Sequence, residues 1–398
     1  MLEIRNVSEL FLPEGSIEGA WLRIEDGRIQ DFGASPPPAS AGPFIDAEGG
    51  TVIPGLIDSH THLVFAGSRE DEFVMRARGM SYLEIAKAGG GIGRTVSAVR
   101  KASLDDLVAL ALPRLRRMLA HGVTTAEVKS GYGLNVEDEI KMLEAVRRLN
   151  ELQPIELVPT LLAAHTLPAE YRDRREAYVD LVVSDELMGR VAGEGLAEFV
   201  DVFCEESAFT VSESRRVLLA GKDRGLSPKI HADQITQMGA SRLAAEVSCV
   251  TADHLENVDP GGIEALRKAS VIAGILPGCS FYLGVPQAPV RRLIEAGIPV
   301  AIATNYNPGS SMIESLPLVL SIACTQAGVT PREALLGATA TAAAALLREK
   351  RIGRIERGFQ ADIAVLDAGS VDAWLSQPGT NCVRIVLKNG RVVCERHA

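Results

Sequence analysis

The sequence predicts an α/β protein: a (β/α)₈ barrel of the TIM type, with a small β domain shared by the two chain ends. Three observations lead there. Short apolar or β-branched runs recur eight times through the middle of the chain. Longer stretches with helical patterning separate them, and the two ends carry matching hairpin signals. The runs are "GLIDSHTH", "VTTAEVKS", "IELVPTLLAAHT", "FVDVFCEE", "PKIHAD", "VTADHLE", "VIAGILPG" and "PVAIATNYN". A doubly wound open sheet has the same alternation, and strand count alone leaves it as the alternative.

Residues 1–54 read as the first part of the β domain. "WLRIEDGRIQDFG" is two alternating runs joined at Asp26-Gly27, a strong two-residue hairpin signal. "SPPPASAGP", residues 35–43, reads as an extended loop. The barrel is expected over 55–352. Within it, "SLDDLVALALPRLRRMLAHG" reads as a helix with Ser103 as N-cap and Gly122 as its stop, and "VEDEIKMLEAVRRLN" as the next. Residues 353–398 return to β patterning. "GRIERGFQADIAVLD" supplies strand, and "RIVLKNGRVVCE" repeats the hairpin device at Asn389-Gly390. A lone hairpin is marginally stable, so the economical arrangement is one sheet built from both ends.

Composition narrows the function. The chain has 398 residues, 46% hydrophobic and 23% charged, with a formal net charge of −10. That balance argues against nucleic acid or an anionic membrane surface, since both reward clustered Lys and Arg. No apolar run reaches membrane-spanning length; the Ala-rich "GATATAAAALL" is too short. The N-terminus lacks signal-peptide features, and six scattered cysteines without a C-x-x-C pair suit a reducing cytoplasm.

"IDSHTHL" places His60 and His62 one residue apart at the end of an apolar run. In a strand, residues i and i+2 share a face, so both imidazoles project together. Barrel active sites lie at the C-terminal ends of the strands. Read there, the runs deliver His60, His62, Lys129, His165, Glu205, Glu206, His231, His254 and Asn305; only His121 and His397 of the seven histidines fall elsewhere. One such histidine is more often a satisfied core residue than a ligand, but five converging on one rim favour a mononuclear metal site. Imidazole ligands suit zinc or iron, and a catalytic ion keeps a position open for water, whose pKa it lowers. No P-loop, G-x-S-x-G or H-E-x-x-H motif is present, and "AGGGI" reads as a mobile or tightly turning loop near the rim.

H-x-H on the first strand, His231 on the fifth and His254 on the sixth resemble the amidohydrolase superfamily, and the β-rich ends are similar to its composite β-sandwich. "HTHLVFAGSREDEF", "YLEIAKAGGGI", "EVKSGYGL", "AAHTLPAEY", "DVFCE", "KIHAD", "ADHLE", "LPGCSFYLG" and "NPGSS" narrow the likeness across almost the whole chain. They resemble those members that open the cyclic amide of 4-imidazolone-5-propanoate to N-formimidoyl-L-glutamate in histidine degradation.

The resemblance implies one divalent or trivalent zinc or iron ion per subunit, held by His60, His62, His231 and the residue at 305. It implies substrate contacts from Arg69, Tyr132, His165, Gln234, Asn307, Gly309 and Ser310, and a homodimer. An arginine can grip a propionate at two points, Tyr132 and His165 can bond ring or carboxylate oxygens, and the "NPGS" turn offers backbone donors. The family carries aspartate at the end of the eighth strand, where this chain has Asn305, and many relatives carry glutamate where it has Gln234. An amide oxygen can coordinate but cannot act as a base, which leaves His254 as the histidine for proton transfer, with Asp253 and Asp233 beside the motifs. Two other readings use the same histidines: a mononuclear deaminase of a heterocyclic base, and a catalytically impaired barrel that binds its ligand without turnover.

Overall fold

The computed structural model describes residues 1–37, 42–80, 84–85 and 90–396. Residues 38–41 of the Pro-rich loop, most of "SYLEIAKAG" and His397 lie outside the described residues. The chain starts with five strands: β1 Leu2–Leu12, β2 Gly15–Glu25, β3 Arg28–Ala34, β4 Phe44–Asp46 and β5 Thr51–Pro54. Eight more follow, β6 Leu56–Asp58, β7 Val123–Lys129, β8 Glu156–Ala164, β9 Phe199–Cys204, β10 Ser227–Ala232, β11 Thr251–His254, β12 Ile272–Ile275 and β13 Val300–Ile302. They stand in sequence order in one sheet, each parallel to its neighbour. All eight coincide with the eight runs.

The sheet closes through residues just past its first and last strands. Thr61 bridges Tyr306, the His62 N–H donates to the Tyr306 carbonyl at 2.9 Å, and the Asn305 N–H donates to the His60 carbonyl at 3.0 Å. Asp58 adds a side-chain clasp, accepting from the Thr304 N–H at 3.0 Å and its hydroxyl at 2.7 Å. Closure decides for the barrel over the doubly wound sheet.

Both helices expected between the first strands form. Leu104–Ala120 starts at a Ser103–Asp106 capping box, and Val136–Leu152 starts at Asn135, whose side chain accepts from the Asp138 N–H. The Ala-rich segment has a role that its composition hid. Its helix, Ala340–Ala345, closes the barrel floor, where Ala342, Ala343, Leu346 and Ile352 pack against Ile57, Val158 and Phe199.

After the barrel, β14 Ile363–Leu366, β15 Val383–Lys388 and β16 Arg391–Glu395 complete a second sheet, ordered β16-β15-β14-β5-β1-β2-β3 with β4 beside β1. Both chain ends thus meet in one mostly antiparallel sheet. The sandwich is realised as this single sheet curled over until its two hairpin turns meet at Gly27 and Asn389. Ile4, Leu22, Ile29, Val52, Ile363 and Leu387 share its core. No helix among the described residues is long and apolar enough to cross a membrane.

Candidate metal centre

The histidine segment begins where β6 ends, so His60 and His62 sit on extended chain past the strand. Neighbours on both sides stitch it down. The Thr61 hydroxyl donates to the Glu127 carbonyl at 2.6 Å, and the Lys129 N–H donates to the Thr61 carbonyl at 3.0 Å. Arg114, reaching from its helix, donates to the carbonyls of Leu63 and Phe65, both at 2.8 Å.

Three imidazoles converge as expected. The His60 ring centroid lies 5.3 Å from that of His62 and 4.6 Å from that of His231, and one nitrogen of each falls within 4.8 Å of the others. All three side chains are buried. Asp253 receives the His60 Nδ1–H at 2.7 Å, which points Nε2 toward the centre, and Asp201 Oδ2 lies 3.0 Å from His231 Nδ1. His60 Nε2, His62 Nδ1 and His231 Nε2 are buried with no hydrogen-bond partner among the described residues. Buried nitrogens are rarely left so. Burial, with Lys129 beside His60 and His165 beside His62, holds both rings well below the usual histidine range and therefore neutral. Buried, oriented imidazoles that each leave one nitrogen without a partner among the described residues are the donor set that a zinc- or iron-like cation requires, so the residues fit a metal ion.

Beneath them lies a buried charge layer. Lys129 Nζ is 2.7 Å from Asp201, 2.9 Å from Glu127 and 3.8 Å from Asp253, while Lys229 pairs with Glu127 at 2.9 Å. Burial opposes the charge on Lys129, but the three carboxylates outweigh it and raise its pKa above the ordinary lysine value. Lys129 was expected at the rim; it is fully enclosed by these acids. Its place on an alternating buried strand with Glu127 is the signal for the layer, since both point inward.

His254 follows the three. Its ring centroid is 5.3 Å from that of His231 and 5.8 Å from that of His60, and Nδ1 lies 3.4 Å from Glu256. Its φ is +82°, Leu255 follows at +67°, and Asn305 adopts +53°. Left-handed backbone costs roughly 1–3 kcal/mol in such residues, least for Asn, and it clusters at functional sites.

His165 stacks on His62 at 5.1 Å, and Tyr132 lies 5.4 Å from His165. Burial, then His231, pushes His165 down to about 3. The "KSGYGL" turn that carries Tyr132 is held by buried Glu139, which accepts from the N–H groups of Gly131, Gly133 and Leu134 at 2.8–3.0 Å. Gly131 has φ +102°, and a Cβ there would fall 2.9 Å from His165 Nδ1. Glycine therefore lets the turn close on the ring.

Other expectations change. The "NPGS" turn does not offer its donors: the N–H groups of Gly309 and Ser310 both bond Asn307 Oδ1 at 2.8 Å, and Asn307 Nδ2 bonds the Asn305 carbonyl and the Ser310 hydroxyl. Asn307 thus builds the turn. Glu205 holds the loop after β10, accepting from the N–H of Ile235 and Thr236 and from the Thr236 hydroxyl. Asp233 caps the next helix through Ala240 and Ser241. Gln234 is half-buried two residues past β10, and no hydrogen bond among the described residues ties its side chain to the histidines. The Asn305 side chain meets the thiol of Cys279, which burial pushes up to about 12. Of "AGGGI", Ala88 and Gly89 lie outside the described residues; Gly91 turns tightly at φ +87°.

The amidohydrolase family's sequence profile matches residues 51–393. A Myxococcus xanthus (strain DK1622) protein named imidazolonepropionase is 50% identical, the alignment covering 98% of this chain and 96% of that one. One of the same name from Geobacillus kaustophilus (strain HTA426) is 46% identical, with 97% and 93% covered. Atrazine chlorohydrolase from Arthrobacter aurescens TC1, solved with zinc, superposes at a TM-score of 0.79 with 20% identity, covering 99% of this chain and 95% of that one, a likeness of fold. The chain belongs to the amidohydrolase family, on its imidazolonepropionase branch.

Proposed function

We infer that the chain hydrolyses the cyclic amide of 4-imidazolone-5-propanoate to N-formimidoyl-L-glutamate, the ring-opening step of histidine degradation. The observation that carries this reading is the convergence of three buried imidazoles, each with one ring nitrogen unpartnered among the described residues, in the chain of a family named for that reaction. His60, His62 and His231 would hold one zinc or iron ion, with the Asn305 amide oxygen as a further donor. When bound, such an ion polarises a carbonyl and acidifies water.

The chain's own groups do the rest. Arg69, buried on the segment after β6, receives the propionate. Tyr132 and His165 flank the ring beside His62, and His165, neutral at physiological pH, contributes hydrogen bonds without charge. Water adds to the ring carbonyl from the side of the three histidines. His254, with Nδ1 turned to Glu256, presents Nε2 to the reacting centre, where it takes the water's proton and returns it to the leaving ring nitrogen. Asn305 cannot share that task, because an amide accepts no proton in this pH range. Six unpaired thiols suit a reducing cytoplasm as the setting, and the working unit is a homodimer, checked by light scattering.

The test is direct. Purified protein loaded with zinc, and separately with iron, should consume the imidazolone chromophore and form the formimidoyl product. Absence of both changes with stoichiometric metal bound would sink the reading and leave a ligand-binding barrel.

A further inference from the structure

Arg69 is not an isolated cation. Its Nε donates to Glu72 Oε1 at 2.9 Å and its Nη2 to Oε2 at 2.7 Å, a two-point pair with both side chains buried. Glu72 Oε1 also accepts the Gly91 N–H at 2.8 Å, immediately before the helix Ile92–Lys101. On its other side the guanidinium lies against the turn after β13. A Cβ on Gly309 would fall 2.2 Å from Nη1 and 3.1 Å from Nη2. Three separate segments therefore meet on this ion pair, Gly91 on its carboxylate and Gly309 on its guanidinium.

We propose that Glu72 is a positioning residue for substrate recognition: it takes the Nε/Nη2 edge of Arg69, fixes the guanidinium plane, and turns the Nη1/Nη2 edge across Gly309 toward the substrate carboxylate. The proposal rests on the reading of Arg69 as the carboxylate's partner. A guanidinium presents its donors in a rigid fork with two edges, so anchoring one edge sets the direction of the other. Glu72 also offsets the charge of Arg69, so the pair selects a carboxylate by direction more than by field. Loss of Glu72 strengthens the field but frees the plane, and hydrogen bonds weaken steeply off-axis. Orientation is expected to win. Gly309 is small for the same reason, since any side chain there would push the guanidinium aside.

The experiment compares Glu72→Gln, Arg69→Ala and the double variant, each metal-loaded, on the propanoate substrate and on the same imidazolone with an uncharged propyl chain. Glu72→Gln is expected to raise KM for the propanoate about tenfold or more, the size of one charge-assisted hydrogen bond. Its kcat stays within about threefold, KM for the propyl compound is unchanged, and the substitution adds nothing in the Arg69→Ala background. Glu72→Asp, which keeps the charge on a shorter arm, should fall between and carries the comparison if the Gln variant does not fold. A KM rise equal for both substrates, or one that persists without Arg69, overturns the positioning role in favour of a scaffold. If Arg69→Ala raises KM but neither Glu72 variant does, the positioning alone fails. If Arg69→Ala leaves KM unchanged, the reading of Arg69 fails and takes the positioning with it.

Discussion

The two ends of the barrel treat polarity in opposite ways. At the C-terminal rim, His60 Nε2, His62 Nδ1 and His231 Nε2 are buried without partners among the described residues, and the backbone at His254, Leu255 and Asn305 is left-handed. At the opposite end, charges are matched. Glu156, at the start of β8, meets Arg351 at 2.5 Å, Arg348 at 3.1 Å and Lys388 at 3.7 Å; Arg348 also pairs with Glu198 and Lys388 with Asp362. Lys388 belongs to β15, so this network ties barrel to curled sheet. Unpaired groups and strain lower stability, and a fold keeps them where they serve a ligand. The matched end is where the molecule offsets that cost.

If the contrast is right, the largest effect comes from breaking the rim at its centre. His231→Ala removes one of three nitrogens aimed at a common point. Bound metal should fall to background by elemental analysis, and kcat/KM by at least about 10³, since a catalytic ion supplies several kcal/mol. The metal-free protein should still fold, with activity and not stability carrying the larger loss, because an unsatisfied nitrogen goes while Asp201 keeps Lys129. A variant that kept stoichiometric metal would remove His231 from the site. One step out, Asp253→Asn loses the carboxylate that orients His60, and metal affinity should fall about 10–100-fold, read by chelator competition.

Asn305→Asp sharpens the same end. Three imidazole ligands and an amide bring no negative charge to offset a divalent ion and supply no base beside it. A carboxylate should hold metal more tightly and raise kcat at least about tenfold, the lower range of general acid–base catalysis. If the Asp variant is no faster at equal metal occupancy, His254 alone carries the proton, and His254→Ala becomes the deciding measurement.

Much of this was legible in the sequence, for a physical reason. A parallel strand buried on both faces reads as an apolar run, and its polar terminus marks the rim, so eight strands and His60, His62, His165, His231 and His254 could be placed. What position along a strand cannot give is rotation about it. Glu205 and Asp233 also end strands, yet their carboxylates turn away to hold loops and helix N-termini. The Asn307 side chain consumes the donors of its own turn, which the motif alone does not reveal. The pair formed by Arg69 and Glu72 was spelled out in "SREDEF", where spacing suits either a surface ion pair or a buried clamp; burial decides. The Ala-rich floor helix carries no apolar periodicity, because five of its six residues are alanine.

At the matched end the expectation reverses: stability should fall and catalysis hold. Glu156→Gln removes a carboxylate shared by three cations. Lys388 keeps Asp362 and Arg348 keeps Glu198, so the cost should be about 1.5–3 kcal/mol, the range of hydrogen bonds to charged groups, with kcat and KM unchanged. A loss of activity at equal folding would mean that the two ends are coupled.

The smallest effect is the pH dependence of that same network. Burial raises the Glu156 pKa, but Arg351, Lys388 and Arg348 outweigh it, and the folded value lies below the ordinary glutamate value of 4.5. A carboxyl depressed on folding contributes stability that is complete above its unfolded pKa and is lost as pH falls through the folded one. In denaturant titrations, the stability that Glu156 adds over Gln should therefore be constant from pH 7 to about 5 and shrink below about 4.5. The variant's curve should approach that of the parent from below as the acid side is reached. Curves that stay parallel to pH 3 would mean that Glu156 does not titrate with folding. Its three cations would then be held by geometry alone, and the contrast between the two ends would rest on the rim.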